Sequence, residues 1–312
     1  MSDMGSTVST ESTASDVPAW PAREALPVSI VVPTLGRDSL RACVQSLAEC
    51  SPPATEILLV TQANEDSVQL LAEEFGDAGA RLVPCPGRGV AHGRNLGLRD
   101  ARHDIVLITD DDCTVMPDWV ERARALAEAW PGAIVTGRVL PVGERDAVPS
   151  FKDDPEPHDF TGAVHGGALF PNNMVCDRRA ILATGGFDER FGPGEAAEDN
   201  EFCYRWLRAG RMLRYEPSLV VRHHDWRSPE QLERLYVRYA RGQGFFYAKY
   251  LRRGDPTMLR WIGRDAYWAL RGSVAAVVKR RSRWSDPRRG IARGLPGGLI
   301  RGWRVFGEDT LP

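Results

Sequence analysis

The stretch from Ile105 to Cys113, IVLITDDDC, constrains the fold more than any other. Ile105, Val106, Leu107 and Ile108 form a short apolar run without polar alternation, the pattern of a strand covered on both faces. That strand runs directly into Asp110, Asp111 and Asp112. Carboxylates within a few ångströms of one another repel, and a hard divalent cation with oxygen ligands relieves the repulsion. Ligands in open α/β sheets gather beyond the carboxyl ends of strands, which is where these acids fall. Taken by itself, the triplet also fits an acidic surface turn that caps the next element.

The neighbouring chain supplies the rest of such a sheet. VSIVV, from Val28, reads as a buried strand halted by Pro33, and TLGRDS turns it into a helix with Leu40, Cys43, Val44, Leu47 and Ala48 inward. Ser51-Pro52-Pro53 ends that helix. EILLV (Glu56 to Val60) is a second strand, followed by a helix from Asp66 or Ser67 with Val68, Leu71, Ala72 and Phe75 inward. RLV (Arg81 to Val83) is a third strand, and a helical segment from Val90 to Arg99 leads into the acid-tipped one. Strands alternating with helices predict a parallel, doubly wound α/β sheet. Beyond the acids, Pro117-Asp118 opens a helix carrying Trp119, Val120, Ala123, Leu126, Ala127 and Trp130. The Gly-, Pro- and Asp-rich segment from Arg138 to Phe170 is expected to be a long lid or binding loop. Glu198-Asp199 then opens a helix with Phe202, Cys203, Trp206 and Leu207 inward, where acids serve equally well as first-turn residues.

At 312 residues and 43% hydrophobic, the chain suits one large core with an appendage, or two domains. Its six cysteines include no C-x-x-C pair and read as reduced core residues, not zinc ligands or disulfides. No apolar run approaches a membrane span and no signal core is present, so a cytoplasmic protein is expected. The net charge of −2 conceals an asymmetry: residues 1–226 hold 21 Lys+Arg against 35 Asp+Glu, residues 227–312 hold 19 against 7. This divides the chain into a Ser/Thr-rich, disordered leader (1–26), a main domain (27–226) and a basic helical region (227–312). In the last, Arg260, Arg264 and Arg271 fall within about 40° on a helical projection, opposite Leu259, Ile262, Ala266 and Val277. With KRRSRW downstream and five of the nine tryptophans from Trp226 onward, that pattern resembles an interfacial helix drawn to an anionic membrane surface. The alternative is an appendage packed on the main domain. Nucleic acid is not expected as a partner, because no recognition module accompanies the charge.

Taken in order, VSIVVPTLGR, GRGVAHGRNLGL, TDDD, GGFDERFGPG and EDNEFCYRWLRAG make residues 28–226 resemble the family-2 glycosyltransferases of the GT-A fold. The resemblance implies a Rossmann-like, mostly parallel sheet with helices on both faces. It also implies an inverting, metal-dependent enzyme that moves a sugar from a nucleotide-diphosphate donor to a hydroxyl of a glycan, a lipid-linked carrier or a small molecule. TDDD takes the place of the D-x-D element: Asp112 and Asp110 would hold Mn2+ or Mg2+, with Asp110 also near the ribose and Asp111 on the donor side. Asp199, paired with Glu198, matches the catalytic base, and His223 in SLVVRHHDW matches a histidine that completes the metal site. Thr34, Arg37, Arg94 and Asn95 match donor-contacting segments. Where relatives commonly carry an acid after the second strand, this chain has Val60-Thr61-Gln62, so Gln62 is the candidate for the base edge and UDP-, dTDP- and GDP-sugars stay open. Asn172, Asn173 and Asp188 fall where the family shapes the floor of the sugar site, although Asp188 also suits a turn, and Trp226 is a candidate to stack on a sugar or lipid or to sit in a core. A sugar nucleotidyltransferase would need a Gly-rich, basic loop that PTLGRDS poorly imitates, and a non-catalytic scaffold would have no need of two acidic sites.

Overall fold

A computed structural model describes residues 24–144, 148–224, 227–278 and 287–307. The expected leader lies outside them up to residue 23, as do Trp226 and KRRSRW. The first half alternates as its apolar pattern requires: β1 (Leu26–Thr34), α1 (Ser39–Ala48), β2 (Ala54–Thr61), α2 (Glu65–Glu74), β3 (Ala80–Pro84), α3 (Val90–Asp100) and β4 (Ile105–Ile108). These strands are parallel in the order β3-β2-β1-β4. The sheet continues through β5 (Cys113–Val115), β6 (Ile134–Val142), β7 (His158–Phe160), β8 (Met174–Asp177) and β9 (Leu213–His224). Strand β8 runs antiparallel between β4 and β6, β9 lies parallel to β6, and β5 and β7 pair antiparallel with β9.

Alternate residues of the central strands face opposite helical layers, the consequence of a two-residue side-chain period. Ile30, Leu59 and Leu107 meet Leu40, Val44, Val68 and Trp119 from α1, α2 and α4 (Trp119–Ala129). Val31, Val60, Val106 and Ile108 meet Leu98, Ile181, Phe202 and Trp206 from α3, α5 (Arg178–Ala183) and α6 (Glu198–Arg208). All six cysteines are buried and free, in accord with their reading as core residues. The segment expected to be one long loop is more ordered than that. Arg138–Val142 extends β6 because its backbone continues the ladder with Val220–His224 of β9, and His158–Phe160 adds a short edge strand.

Three long helices complete the molecule: α7 (Pro229–Arg252), α8 (Thr257–Val278) and α9 (Pro287–Val305). A Ser228–Gln231 capping box and a proline at the first turn start α7. Its Phe245, Phe246 and Tyr250 form an aromatic cluster with Tyr204 of α6 and Trp261 of α8. Helix α9 lies unusually close to α7, with Gly290, Gly294, Gly298 and Gly302 along the contact. A Cβ at Gly290 would sit 2.7 Å from the Tyr236 carbonyl, and one at Gly298 would overlap the Arg241 carbonyl. The face of α8 that packs inward is Met258, Trp261, Asp265 and Ala269, with Ile262 half-buried against the same cluster, while Leu259 is 63% exposed and Ala266 is exposed as well. The aromatic cluster captures Trp261 and so fixes the helix's rotation, leaving Leu259, Ala266 and Leu270 in solvent beside Arg260 and Arg264.

Candidate active site

A cleft of about 780 Å3 opens at the carboxyl ends of β1 and β4. The tight turn after β4 delivers the three aspartates to different places. The Asp111 side chain is buried against the β1–α1 turn, where Thr34 Oγ1 donates to it at 2.7 Å and Arg37 at 2.7 and 3.0 Å. Burial pushes its carboxyl up, against the opposing pull of Arg37 and Thr34. Asp110 and Asp112 line the cleft.

Strand pairing brings His223 to Asp112. The β5–β9 register sets Cys113 opposite His223, and the His224 amide donates to the Asp112 carbonyl at 3.0 Å. His223 Nε2 then lies 3.3 Å from Asp112 Oδ1, while Nδ1 lies 2.8 Å from the Ser150 carbonyl. An Nδ1–H donated to that carbonyl leaves the Nε2 lone pair facing the carboxylate, which is the tautomer a metal ligand requires. Burial lowers the His223 pKa, but the hydrogen bond and charge of Asp112 outweigh it and the net shift is upward. A carboxylate and an imidazole so placed could hold a divalent cation. Cys113 Sγ adjoins them, yet burial and the aspartate charges hold it firmly as a thiol, a poor ligand.

Across the cleft, α6 presents its first turn. Glu198 accepts from Arg94 Nη1 at 2.7 Å, and Arg94 Nη2 reaches Asp110 Oδ1 at 3.3 Å. Arg94 is 4% exposed, so a single buried guanidinium joins the two acidic sites. Asp199 lines the cleft, with the Asn200 amide donating to its Oδ1 at 2.8 Å. Burial, reinforced by the charge of Glu198 and opposed by Arg94, pushes Asp199 up to about 7. A carboxyl tuned to that value can accept and release a proton near neutrality.

A sequence model described as Glycosyl transferase family 2 matches residues 29–163. The glucosyl-dolichyl phosphate glucuronosyltransferase of Haloferax volcanii is 30% identical over 215 residues, covering 63% of this chain and 68% of that protein. The chain belongs to glycosyltransferase family 2. The pre-mycofactocin glycosyltransferase of Mycobacterium tuberculosis is 32% identical over 158 residues, 45% of this chain, and the match spans only 32% of that relative's length. The fold is GT-A: S. aureus TarS 1-349 in complex with UDP superposes with a TM-score of 0.52 at 17% identity, over 91% of this chain and 92% of that one. GalNAc-T7 with UDP, GalNAc and Mn2+ gives 0.54 at 16% identity, over 72% and 50%.

This family-2 chain brings Thr34, Arg37, Gln62, Arg94, Asp110, Asp111, Asp112, Asn172, Glu198, Asp199 and His223 to one cleft. Several of them have internal work. Gln62 holds the Gly89 backbone with both ends of its amide, donating at 2.8 Å and accepting at 3.2 Å, so a base edge would have to displace those bonds. Asn95, expected near the donor, is buried away from the cleft lining and clasps the Phe187 amide and carbonyl, both at 2.8 Å. Gly186, at φ 66°, passes so close that a Cβ would lie 2.5 Å from Asn95 Oδ1. Asn173 likewise misses the lining. Trp119 donates to it, and it donates to the carbonyls of Arg138 and Leu219. Asn172 does line the cleft, and its buried Oδ1 has no protein partner. Asp188 is a turn residue locked by Lys249 at 2.6 Å and by Arg190, and burial notwithstanding, those cations hold its carboxyl well below the usual range.

Sequence reasoning missed the wall contributed by α7. Gln231, Arg234 and Arg238 recur at helical spacing and line the cleft, as does Arg227 just before the helix. It also missed Lys249, 3% exposed, which links Asp188 to Glu201 of α6 and so fastens α7 beneath the site.

Proposed function

We propose that the protein is an inverting, metal-dependent glycosyltransferase that moves a sugar from a nucleoside-diphosphate donor to an acceptor hydroxyl. One observation carries the reading: a carboxyl with its pKa raised to about 7 shares a cleft with the Asp110–Asp112–His223 group, and Arg94 ties the two sides together. In this reading Asp112 and His223, with Asp110, hold a divalent cation, which when bound offsets negative charge developing on the departing diphosphate. Asp199 takes the acceptor hydroxyl's proton as that oxygen attacks the anomeric carbon. Attack from the face opposite the leaving group inverts the configuration. Arg94 holds Asp110 and Glu198 in place, and by its charge keeps Asp199 from rising further. Thr34, Arg37 and Asp111 brace one another as the turn behind the donor, and Asn172 forms part of the cleft lining beside them.

A nucleoside diphosphate is supported by the UDP in two GT-A neighbours, and a lipid-phosphate acceptor by the name of the Haloferax relative. We assign catalysis mainly to residues 27–226, and a membrane-facing role to the region beyond. Among the described residues no helix is long and apolar enough to cross a membrane, but α8 exposes Leu259, Leu270, Tyr267 and Trp268 beside its arginines, as an interfacial helix on a cytoplasmic leaflet would. The deciding experiment is thermal stability against uridine, thymidine, guanosine and adenosine diphosphates, with and without manganese, for wild type and Asp112→Ala. A ligand at 100 times its dissociation constant stabilises by about 2.7 kcal/mol. One diphosphate should shift the midpoint only with metal, and Asp112→Ala should lose the shift. If no diphosphate shifts the wild type, the donor reading falls.

A further inference from the structure

The charge lining the cleft does not balance. Six carboxylates and six guanidinium groups face it, but one of the carboxylates, Glu195, is already held from behind by Arg241 at 3.0 Å and by Arg301. Eight guanidinium groups therefore serve six carboxylates. A divalent cation and a donor diphosphate bring opposite charges of similar size and leave that excess in place.

The excess is not spread evenly. Arg37 is committed to Asp111, Arg94 to Asp110 and Glu198, and Arg227 stands 3.7 Å from Asp112. Among the described residues Arg88, Arg234 and Arg238 make no side-chain hydrogen bond or ion pair, although the charge of Arg234 does lower the pKa of Glu230, one turn back on α7. The backbones beside Arg88 and at Arg238 both meet one loop, and Arg234 lies one turn before Arg238 on α7, lining the same cleft. Gly89, which follows Arg88, packs on the Phe191 carbonyl, and the Ala196 amide donates to the Arg238 carbonyl at 3.3 Å. The loop between them, residues 191–196, leads directly into Glu198 and Asp199. Arg238, and Arg234 one turn before it, thus stand on the side of the cleft where, in the reading above, the acceptor hydroxyl meets Asp199, and Arg88 reaches the same loop from the Gln62 side.

We infer that Arg234 and Arg238, with Arg88 across the loop, form an anion subsite for a phosphate group carried by the acceptor close to the hydroxyl that is glycosylated. This rests on the proposed transfer reaction and narrows its acceptor. A phosphate suits the site better than a carboxylate. A phosphomonoester carries nearly two negative charges at neutral pH, which matches the excess, and its several oxygens can accept from more than one guanidinium at once.

The test uses the whole protein and a simple probe, glycerol phosphate, with glycerol as its neutral counterpart. Wild type and the double variant Arg234→Gln/Arg238→Gln are titrated calorimetrically with each probe, first alone and then after saturation with manganese and the nucleoside diphosphate that binds. The expected result is that glycerol phosphate and the nucleotide bind together to the wild type. The double variant should bind glycerol phosphate about tenfold more weakly or worse, with its nucleotide affinity unchanged. Arg260→Gln/Arg264→Gln, equally exposed but outside the cleft, should behave as wild type. Competition between the two ligands, or a parallel loss of nucleotide affinity in the cleft variant, would assign the arginines to the donor and overturn the inference. So would a wild type that responds to glycerol phosphate no more than to glycerol, or an equal loss in the α8 variant. Failure of the transferase reading shows separately, as a wild type that binds no nucleotide in a titration where glycerol phosphate still reports on the arginines.

Discussion

Replacing Asp199 by Asn should abolish turnover and, at the same time, stabilise the protein in a pH-dependent way. An acid whose folded pKa of about 7 exceeds its unfolded value burdens the folded state as pH rises between the two. Asn carries no such charge at any pH. The stability gap between Asp199→Asn and wild type should therefore open above the unfolded pKa of about 3.9, widen by about 1.4 kcal/mol per pH unit and level off above about pH 7. From about pH 5 to pH 7 that amounts to roughly 2.7 kcal/mol, or some 5–10 °C in the unfolding midpoint. Losing a general base should cost about 10²–10⁴ in rate. The assay is a pair of melting curves at several pH values, with transfer measured on the same samples once a donor is known. A variant that is no more stable at pH 8 than at pH 5, relative to wild type, would show that the folded state does not disfavour the Asp199 charge. Retained activity would remove it as the base.

Three further outcomes follow from the geometry. His223→Ala should leave nucleotide binding without metal unchanged but weaken the manganese-dependent part by about tenfold or more, read by titrating manganese at fixed nucleotide. Lys249→Met should cost about 3–5 kcal/mol near neutral pH, because Asp188 and the fully buried Glu201 lose a shared cation and keep only Arg190 and Arg205; denaturant melts below about pH 4, where the unfolded chain's carboxylates take up protons before these depressed ones do, should show a smaller loss. Gly298→Ala should destabilise by about 1–3 kcal/mol through its Cβ meeting the Arg241 carbonyl, and a midpoint equal to wild type would mean that α9 can shift without consequence.

The strands and helices of the first half were legible because apolar period is a local property: Leu40, Cys43, Val44 and Leu47 of α1 are buried as their spacing demands. The acids of the site were legible for a related reason, since few structural tasks put three adjacent aspartates at the end of a buried strand. The amides were less so: Asn172 and Gln62 do line the cleft, but Asn95 and Asn173 tie loops, and what separates a residue that faces a cleft from one that ties a loop is a partner far away in the chain. For Asn95 that partner is Phe187, 92 residues on. The rotation of α8 was hidden for a similar reason, because both Trp261 and Leu259 lie on apolar stripes and only the aromatic cluster against Tyr204 and Phe246 chooses between them. The arginine row of α7 was written at helical spacing but was read as part of a separate basic region, so its relation to the cleft went unseen.

The register that sets Cys113 opposite His223 also has a temporal side. Asp112 and its imidazole come from strands more than a hundred residues apart, and β9 is the last strand of the sheet. During synthesis the aspartates emerge long before anything exists to complete them. Closing so long a loop is slow and comes late. A nascent chain therefore carries its carboxylates well before the imidazole joins them, and on the proposed reading of Asp112 and His223 as cation ligands, metal affinity would double as a report that folding is done.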